Sequence, residues 1–268
     1  MKRTFNILKE STIKEYIYEN ISRNFYGFLK EHNVIYTVNG VIKNSYDMVN
    51  PNDVLEVTYD DIEQEGILSD LGIDVVYEDE YYIVVDKGPK VQSIPSKSNP
   101  EDSIFNRLLY YFKDTPYTVH LINRLDKETK GLILVAKSNY AAAIIKDFSK
   151  VYIAKTLNKL PEGLDMIDLP ILKVEGQMKR KIDIKGKKAL TLFNLVSEDN
   201  DLYTYQVNIK TGRTHQIRLH FSYLGSPLIN DTLYGGSEYG DKTLGLVCSQ
   251  IIFIHPITKE VLTLKSKY

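Results

Sequence analysis

Over 268 residues the chain carries 34 Lys and Arg against 35 Asp and Glu, a net charge of −1, with 43% hydrophobic residues. These are ordinary globular values, enough for one domain plus a small module. No apolar run approaches the ~20 residues that span a bilayer, and Met1-Lys2-Arg3 is not followed by a signal-peptide core. The single Cys248 cannot form an internal disulfide, so a cytoplasmic monomer with no membrane contact is expected.

Residues 1–60 read as a separate small module. Thr12–Asn20 and Ser22–His32 carry helical spacing, with Phe25, Phe28 and Leu29 on one stripe and Ser22 as N-cap. Val34–Val38, Asn39-Gly40 and Val41-Ile42 form a hairpin signal, because Asn-Gly suits a type I′ turn. Asp53–Tyr59 is a further strand. From Asn44 to Asp86 there is no Lys or Arg, while Asp47, Asp53, Glu56, Asp60, Asp61, Glu63 and Glu65 accumulate. Residues 61–72, acidic and poor in aromatics, are the expected linker.

Residues 73–268 read as the second domain. Asp74–Val76 and Tyr81–Val85 are strand-like, Ser103–Phe112 helical, Gly131–Ala136 a buried strand, and Asn139–Phe148 a helix capped by Ser138. Strands follow over Tyr152–Leu157 and Leu202–Ile209, a helix over Thr214–Leu224 closed by Gly225, and strands over Leu246–Ile254 and Val261–Leu264. Many strands with few helices predict an α+β fold around a mixed, mainly antiparallel sheet. Between Lys173 and Lys188 the charge turns basic, and KRKIDIKGKK predicts a hairpin strand with Lys179, Arg180 and Lys181 offered to phosphate.

Two segments carry the chemistry. In HLINRLDKETKG, residues 120–131, a carboxylate at Asp126 sits between an apolar run and a turn that Gly131 ends. Held between two core-bound segments, Asp126 has little freedom to swing away, as a nucleophile or general base requires. In KTGRTHQIRLHFSYLG, residues 210–225, Ile217, Phe221 and Leu224 form an apolar stripe, and His215, Arg218 and Ser222 share a polar face. An isolated loop aspartate is more often a cap, and an arginine beside an apolar stripe more often a surface residue.

Together with Lys150-Val151-Tyr152-Ile153-Ala154, these segments resemble the RluA-like family of RNA pseudouridine synthases over roughly residues 75–265. The resemblance implies that Asp126 is the catalytic aspartate, that Arg218 pairs with it, and that Tyr152 stacks on the target uracil with its hydroxyl near the reacting carbon. It implies that Arg124 helps displace a uridine that must leave its stack before its buried atoms can be reached. Asn123, Arg213 and His215 are further expected RNA contacts. An opposite charge within ~4–6 Å favours the ionised carboxylate. Residues 1–60 resemble the small RNA-binding domain named after ribosomal small-subunit protein four, although 7 basic against 8 acidic residues is not a basic balance. That module tilts the expected substrate toward large-subunit ribosomal RNA, with transfer RNA the alternative.

Isomerising uridine breaks a ribose–nitrogen bond, turns the base and forms a ribose–carbon bond. A carboxylate suits this because its adducts are reversible. There is no redox change and no phosphoryl transfer, so no cofactor and no metal are expected. Departures from the family are Asn123 for His before Arg-Leu-Asp, Leu246-Val247-Cys248 for Leu-His-Ala, Lys87-Gly88-Pro89-Lys90 for Lys-Pro-x-Gly, and Asn230-Asp231 for Gly-Asp. They put target choice in doubt more than activity. Gly235–Thr243 is no phosphate loop, since Asp241 precedes Lys242. Two other readings stand beside this one. A catalytically inactive RNA-binding protein of the same fold would need neither Asp126 nor Arg218, and a glycoside-cleaving enzyme would need a second carboxylate.

Overall fold

A computed structural model of the chain describes residues 1–62 and 64–268; Glu63, in the acidic stretch, lies outside the described residues. β1 (Lys2–Asn6) and β2 (Ser11–Thr12) lead into α1 (Ile13–Asn20). Thr12 and Glu15 start that helix with a capping box, each side chain accepting the other's backbone N–H. Ser22 caps α2 (Arg23–Glu31) as expected. β3 (Ile35–Val38) and β4 (Val41–Lys43) meet at Asn39-Gly40, where φ values of 51° and 82° make the type I′ turn that Asn-Gly predicts. β5 (Met48–Val49) and β6 (Val54–Thr58) complete the module, a sheet in the order β1-β6-β3-β4.

The larger sheet begins with β7 (Val75–Glu78) and β8 (Tyr82–Lys87), then α3 (Ile104–Tyr111), β9 (His120–Leu121), β10 (Lys130–Ala136), α4 (Asn139–Ile144) and β11 (Phe148–Thr156). It continues through β12 (Met166–Asp168), the small hairpin β13 (Ile171–Lys173) and β14 (Arg180–Ile182), then β15 (Leu190–Asp199), β16 (Leu202–Ile209), α5 (Gln216–Tyr223), β17 (Leu246–Ile254) and β18 (Val261–Lys265). The path is β12-β15-β16-β11-β17-β10-β8-β7, antiparallel except where β10 runs parallel to β17. The fold is α+β, as its element order predicts. β8 and β10 are almost continuously apolar because both faces of the sheet centre are covered.

The two regions share a core. Ile13, Ile17, Phe25, Leu29, Leu55 and Val57 pack together with Tyr140 and Ile144 of α4. Residues 61–72 have no regular structure yet are tied down. Gln64 bonds the backbone of Val119 at both its amide atoms, and Asn106 donates to Ile67 O. Two helix boundaries differ from expectation, β11 begins at Phe148 instead of Tyr152, and β15 adds a strand beyond those expected. The helix after Ser138 ends at Ile144, because Ile145 turns extended (φ −73°, ψ 119°), and Phe148 already pairs with Phe253 in the sheet. The helix expected from Thr214 starts at Gln216, because His215 sits at φ 58° in the left-handed region.

Candidate active site

A cleft of about 540 Å³ opens where β9 and the loop after it, β11 and the start of α5 converge. Asp126 lies in it, its side chain 25% exposed, on the loop between β9 and β10. That loop is held from three sides. Asn123 donates its amide to Leu132 O and accepts from Leu134 N–H. Ser93 Oγ accepts from Leu125 N–H at 2.9 Å and donates to Leu125 O at 2.7 Å. Lys87, with 0% exposure, donates its ammonium to Gly88 O, Val91 O and Lys127 O. Burial pushes that ammonium down to about 8. The loop leaves through Gly131, at φ 110°, where a Cβ would stand 2.2 Å from the Cys248 carbonyl oxygen. Only glycine permits this close crossing of β10 and β17.

Arg218 comes from α5. It is 6% exposed, so the surface position expected of an arginine beside an apolar stripe does not hold; Gln216–Phe221 are all buried. Its strongest partner is Asp231, 1% exposed, which takes Nε at 2.8 Å and Nη2 at 2.7 Å. The remaining Nη1 reaches Asp126 Oδ2 at 3.4 Å. The fork is thus fixed by one carboxylate and offered to the other. Asn230 holds the turn before Asp231 at φ 59°, its amide bonded to Tyr239 and Thr243. Asparagine tolerates that conformation, which accounts for its standing in place of glycine.

Tyr152 lines the cleft from β11, buried opposite Cys248 at an irregularity where the register shifts between Val151 and Tyr152. Burial first, then Cys248 and Asp126, push its phenol well above the usual range, so the hydroxyl is a donor at neutral pH. His215 Nε2 stands 3.8 Å from Asp126 Oδ2, which makes His215 a neighbour of the carboxylate beyond the RNA contact expected of it. Burial holds its imidazole below the usual range. Arg124 and Arg213 are exposed at the rim.

Two groups of expected RNA contacts are already engaged within the protein. Asn123 lines the cleft but is buried with its amide engaged by β10, which holds the loop in place. Lys179, Arg180 and Lys181 do not act as one cationic face. Lys179 lies over the Tyr234 ring at 5.5 Å and Arg180 N–H donates to Tyr234 Oη, while Lys181 pairs with Asp183 at 2.7 Å. Sequence reasoning misses Asp231, Tyr234, Lys87 and Ser93 as site residues. Asp231 lies 13 residues beyond Arg218, past the end of α5, and like Ser93 has no local signal.

The RNA pseudouridylate synthase family profile matches residues 81–223. An uncharacterised RNA pseudouridine synthase of Bacillus subtilis, YjbO, is 33% identical over 261 residues, covering 93% of this chain and 92% of that protein. Ribosomal large subunit pseudouridine synthase D of Pseudomonas aeruginosa is 30% identical over 221 residues, covering 78% of this chain and 68% of that protein. Among solved structures, human RNA pseudouridylate synthase domain containing 1 shares the fold with a TM-score of 0.59 and 21% identity, covering 77% of this chain and 86% of that one. The chain belongs to the RNA pseudouridylate synthase family, within its RluA-type branch, and is an isomerase of uridine in RNA.

Proposed function

We propose that Asp126 is the nucleophile of this isomerisation and that the substrate is large-subunit ribosomal RNA. The observation that carries the first part is the asymmetric hold on the carboxylate. Oδ2 faces Arg218 and His215, whereas Oδ1 has no protein partner among the described residues and is available to a base entering the cleft. Attack on the ribose carbon or on the ring makes an adduct. The bond between the ribose carbon and N1 breaks, the uracil turns, and its C5 bonds to the ribose carbon as the carboxylate leaves; C5 then loses its hydrogen as a proton and N1 gains one. The product has the mass of the substrate.

The cleft composition supports RNA over other ligands. Arg124, Lys127, Lys150, Arg213 and Arg218 line it, and Asp126 is its one carboxylate among the described residues. Cations concentrated there reconcile a net charge of −1 with phosphate binding. A general-acid glycosidase would need a second carboxylate some ~5–9.5 Å away. Tyr152 is suited to stack on the uracil, and Arg124, exposed at the rim, to fill the space of the flipped base. We assign residues 1–60 as an RNA-binding module, 61–72 as the connecting strap and 73–268 as the catalytic domain. The ribosomal preference rests on that module and on the name of the Pseudomonas relative.

The test is to incubate the protein with ribosomal and transfer RNA lacking the modification and to map pseudouridine in each. Formation at defined uridines of 23S-type RNA is expected. Modification of transfer RNA alone would overturn the substrate assignment.

A further inference from the structure

Tyr234 lies outside the cleft lining but touches Arg218, His215 and Asp231, the groups gathered behind Asp126 Oδ2. Its ring stands 5.3 Å from the Arg218 guanidinium and 5.6 Å, edge to face, from the His215 ring. Its backbone N–H donates to Asp231 Oδ1 at 3.3 Å. Its hydroxyl accepts from Arg180 N–H at 2.9 Å and lies 3.0 Å from His215 Nδ1. A phenolic hydroxyl has one hydrogen to give. With Arg180 N–H as donor to Oη, the only acceptor in reach among the described residues is His215 Nδ1. An imidazole that accepts at Nδ1 carries its hydrogen on Nε2, the nitrogen that faces Asp126 Oδ2 at 3.8 Å.

We propose that Tyr234 and His215 are positioning residues for Asp126: the Tyr234 hydroxyl fixes His215 in the Nε2–H form, and that N–H holds Oδ2 so that Oδ1 points at the base. The proposal rests on the reading of Asp126 as nucleophile. The relay starts on the basic hairpin, at the backbone of Arg180, so it also ties a segment suited to phosphate contact to the reacting carboxylate. At 3.8 Å the last link is longer than a hydrogen bond. Such contacts tighten when substrate fills a site.

His215 is surrounded by Asp126 on the β9–β10 loop, Arg218 on its own helix, Arg180 on β14, and Asp231 and Tyr234 on the turn after α5. Burial favours the neutral ring, Asp126 opposes it, and Arg218 and Arg180 reinforce it. A protonated His215 would clamp Oδ2 as an ion pair and donate at both nitrogens, which would displace the Tyr234 hydrogen.

Single-turnover conversion of uridine, followed from about pH 5 to about pH 8, tests this with four variants. Tyr234→Phe keeps the ring and loses only the hydroxyl. Its acid limb should move up by about one pH unit, because the group that favours neutral His215 is gone. His215→Leu should slow conversion about tenfold, the loss of one hydrogen bond to a charged group, with RNA affinity unchanged. His215→Gln places a non-titrating N–H at similar reach, and should recover most of the rate with the acid limb flattened. Both His215 replacements bear the same left-handed backbone, so their difference reports the side chain. Full activity in His215→Leu, or an unmoved pH profile in Tyr234→Phe, would overturn the relay, provided Asp126→Asn is inactive. An active Asp126→Asn would instead overturn the nucleophile on which the relay depends.

Discussion

The cleft and the β13–β14 hairpin, which gives it no lining residue among those described, are built differently. On one side Asp126, Arg218 and Asp231 sit on elements whose polar groups are buried and paired, with Lys87, Ser93 and Asn123 bonding the loop backbone. On the other, β13 and β14 pair over only three residues each, and the turns beside them expose Met178 and Ile184, 78% and 93% exposed. A group that must reach one atom of a substrate needs its freedom removed in advance. A surface that meets a flexible polyanion gains from long, mobile cations and depends on charge more than on fixed geometry. The difference separates the fixed groups of the cleft from a charged, exposed surface outside it.

The contrast breaks most visibly at Asp231. Asp231→Ala leaves the Arg218 guanidinium buried without its bidentate partner, and should cost about 3–5 kcal/mol of stability. Denaturant unfolding measures this; a loss below about 1 kcal/mol would mean that water or Asp126 replaces the pair without difficulty.

Acid should weaken the buried, paired side first. His120, His215 and His220 are all pushed below the usual 6.5 by burial. His220 is bonded to Thr191 Oγ1 and to Leu169 O. Bases with a lowered folded pKa contribute stability that is complete above the unfolded value of 6.5 and is lost as pH falls through 6.5 toward the folded values. The melting temperature should therefore drop on going from about pH 7.5 to about pH 5, and His220→Gln should reduce that slope. A melting temperature flat across this range would contradict the assignment of neutral, buried imidazoles.

The smallest effects belong to the hairpin. Replacing Lys179 and Arg180 together by Gln should leave stability unchanged and lower the salt slope of RNA binding by about 0.7–0.9 for each phosphate that is no longer neutralised. Lys181→Gln should change little, since Lys181 is paired with Asp183. An equal effect of all three would restore the single cationic face that the alternating sequence suggests.

How much of this is legible in the chain follows the same division. Local signals are faithful where one residue decides a backbone state. Asn39-Gly40 forms its turn, Ser22 and Ser138 cap their helices, and Gly131 marks a crossing. Asp126, Arg218 and Tyr152 are visible as motif residues, and the fold brings all three to one cleft. What stands beside them comes from far along the chain. Lys87 meets Lys127 across 40 residues and Ser93 meets Leu125 across 32, pairings that no periodicity encodes. Position 215 misleads for a different reason. Helical spacing assigns His215 a face on α5, but its left-handed backbone removes it from the helix and turns it toward Asp126.

The central claim is tested most directly by Asp126→Asn, measured by release of the C5 hydrogen isotope from labelled uridine in RNA alongside direct RNA binding. Asparagine keeps size and hydrogen-bonding reach but cannot form the reversible adduct. If Asp126 is the nucleophile, no release is detectable, a rate lowered at least about 10⁴-fold, with RNA affinity within about threefold of wild type. Release within about tenfold of wild type would show that the carboxylate of Asp126 does not carry the reaction.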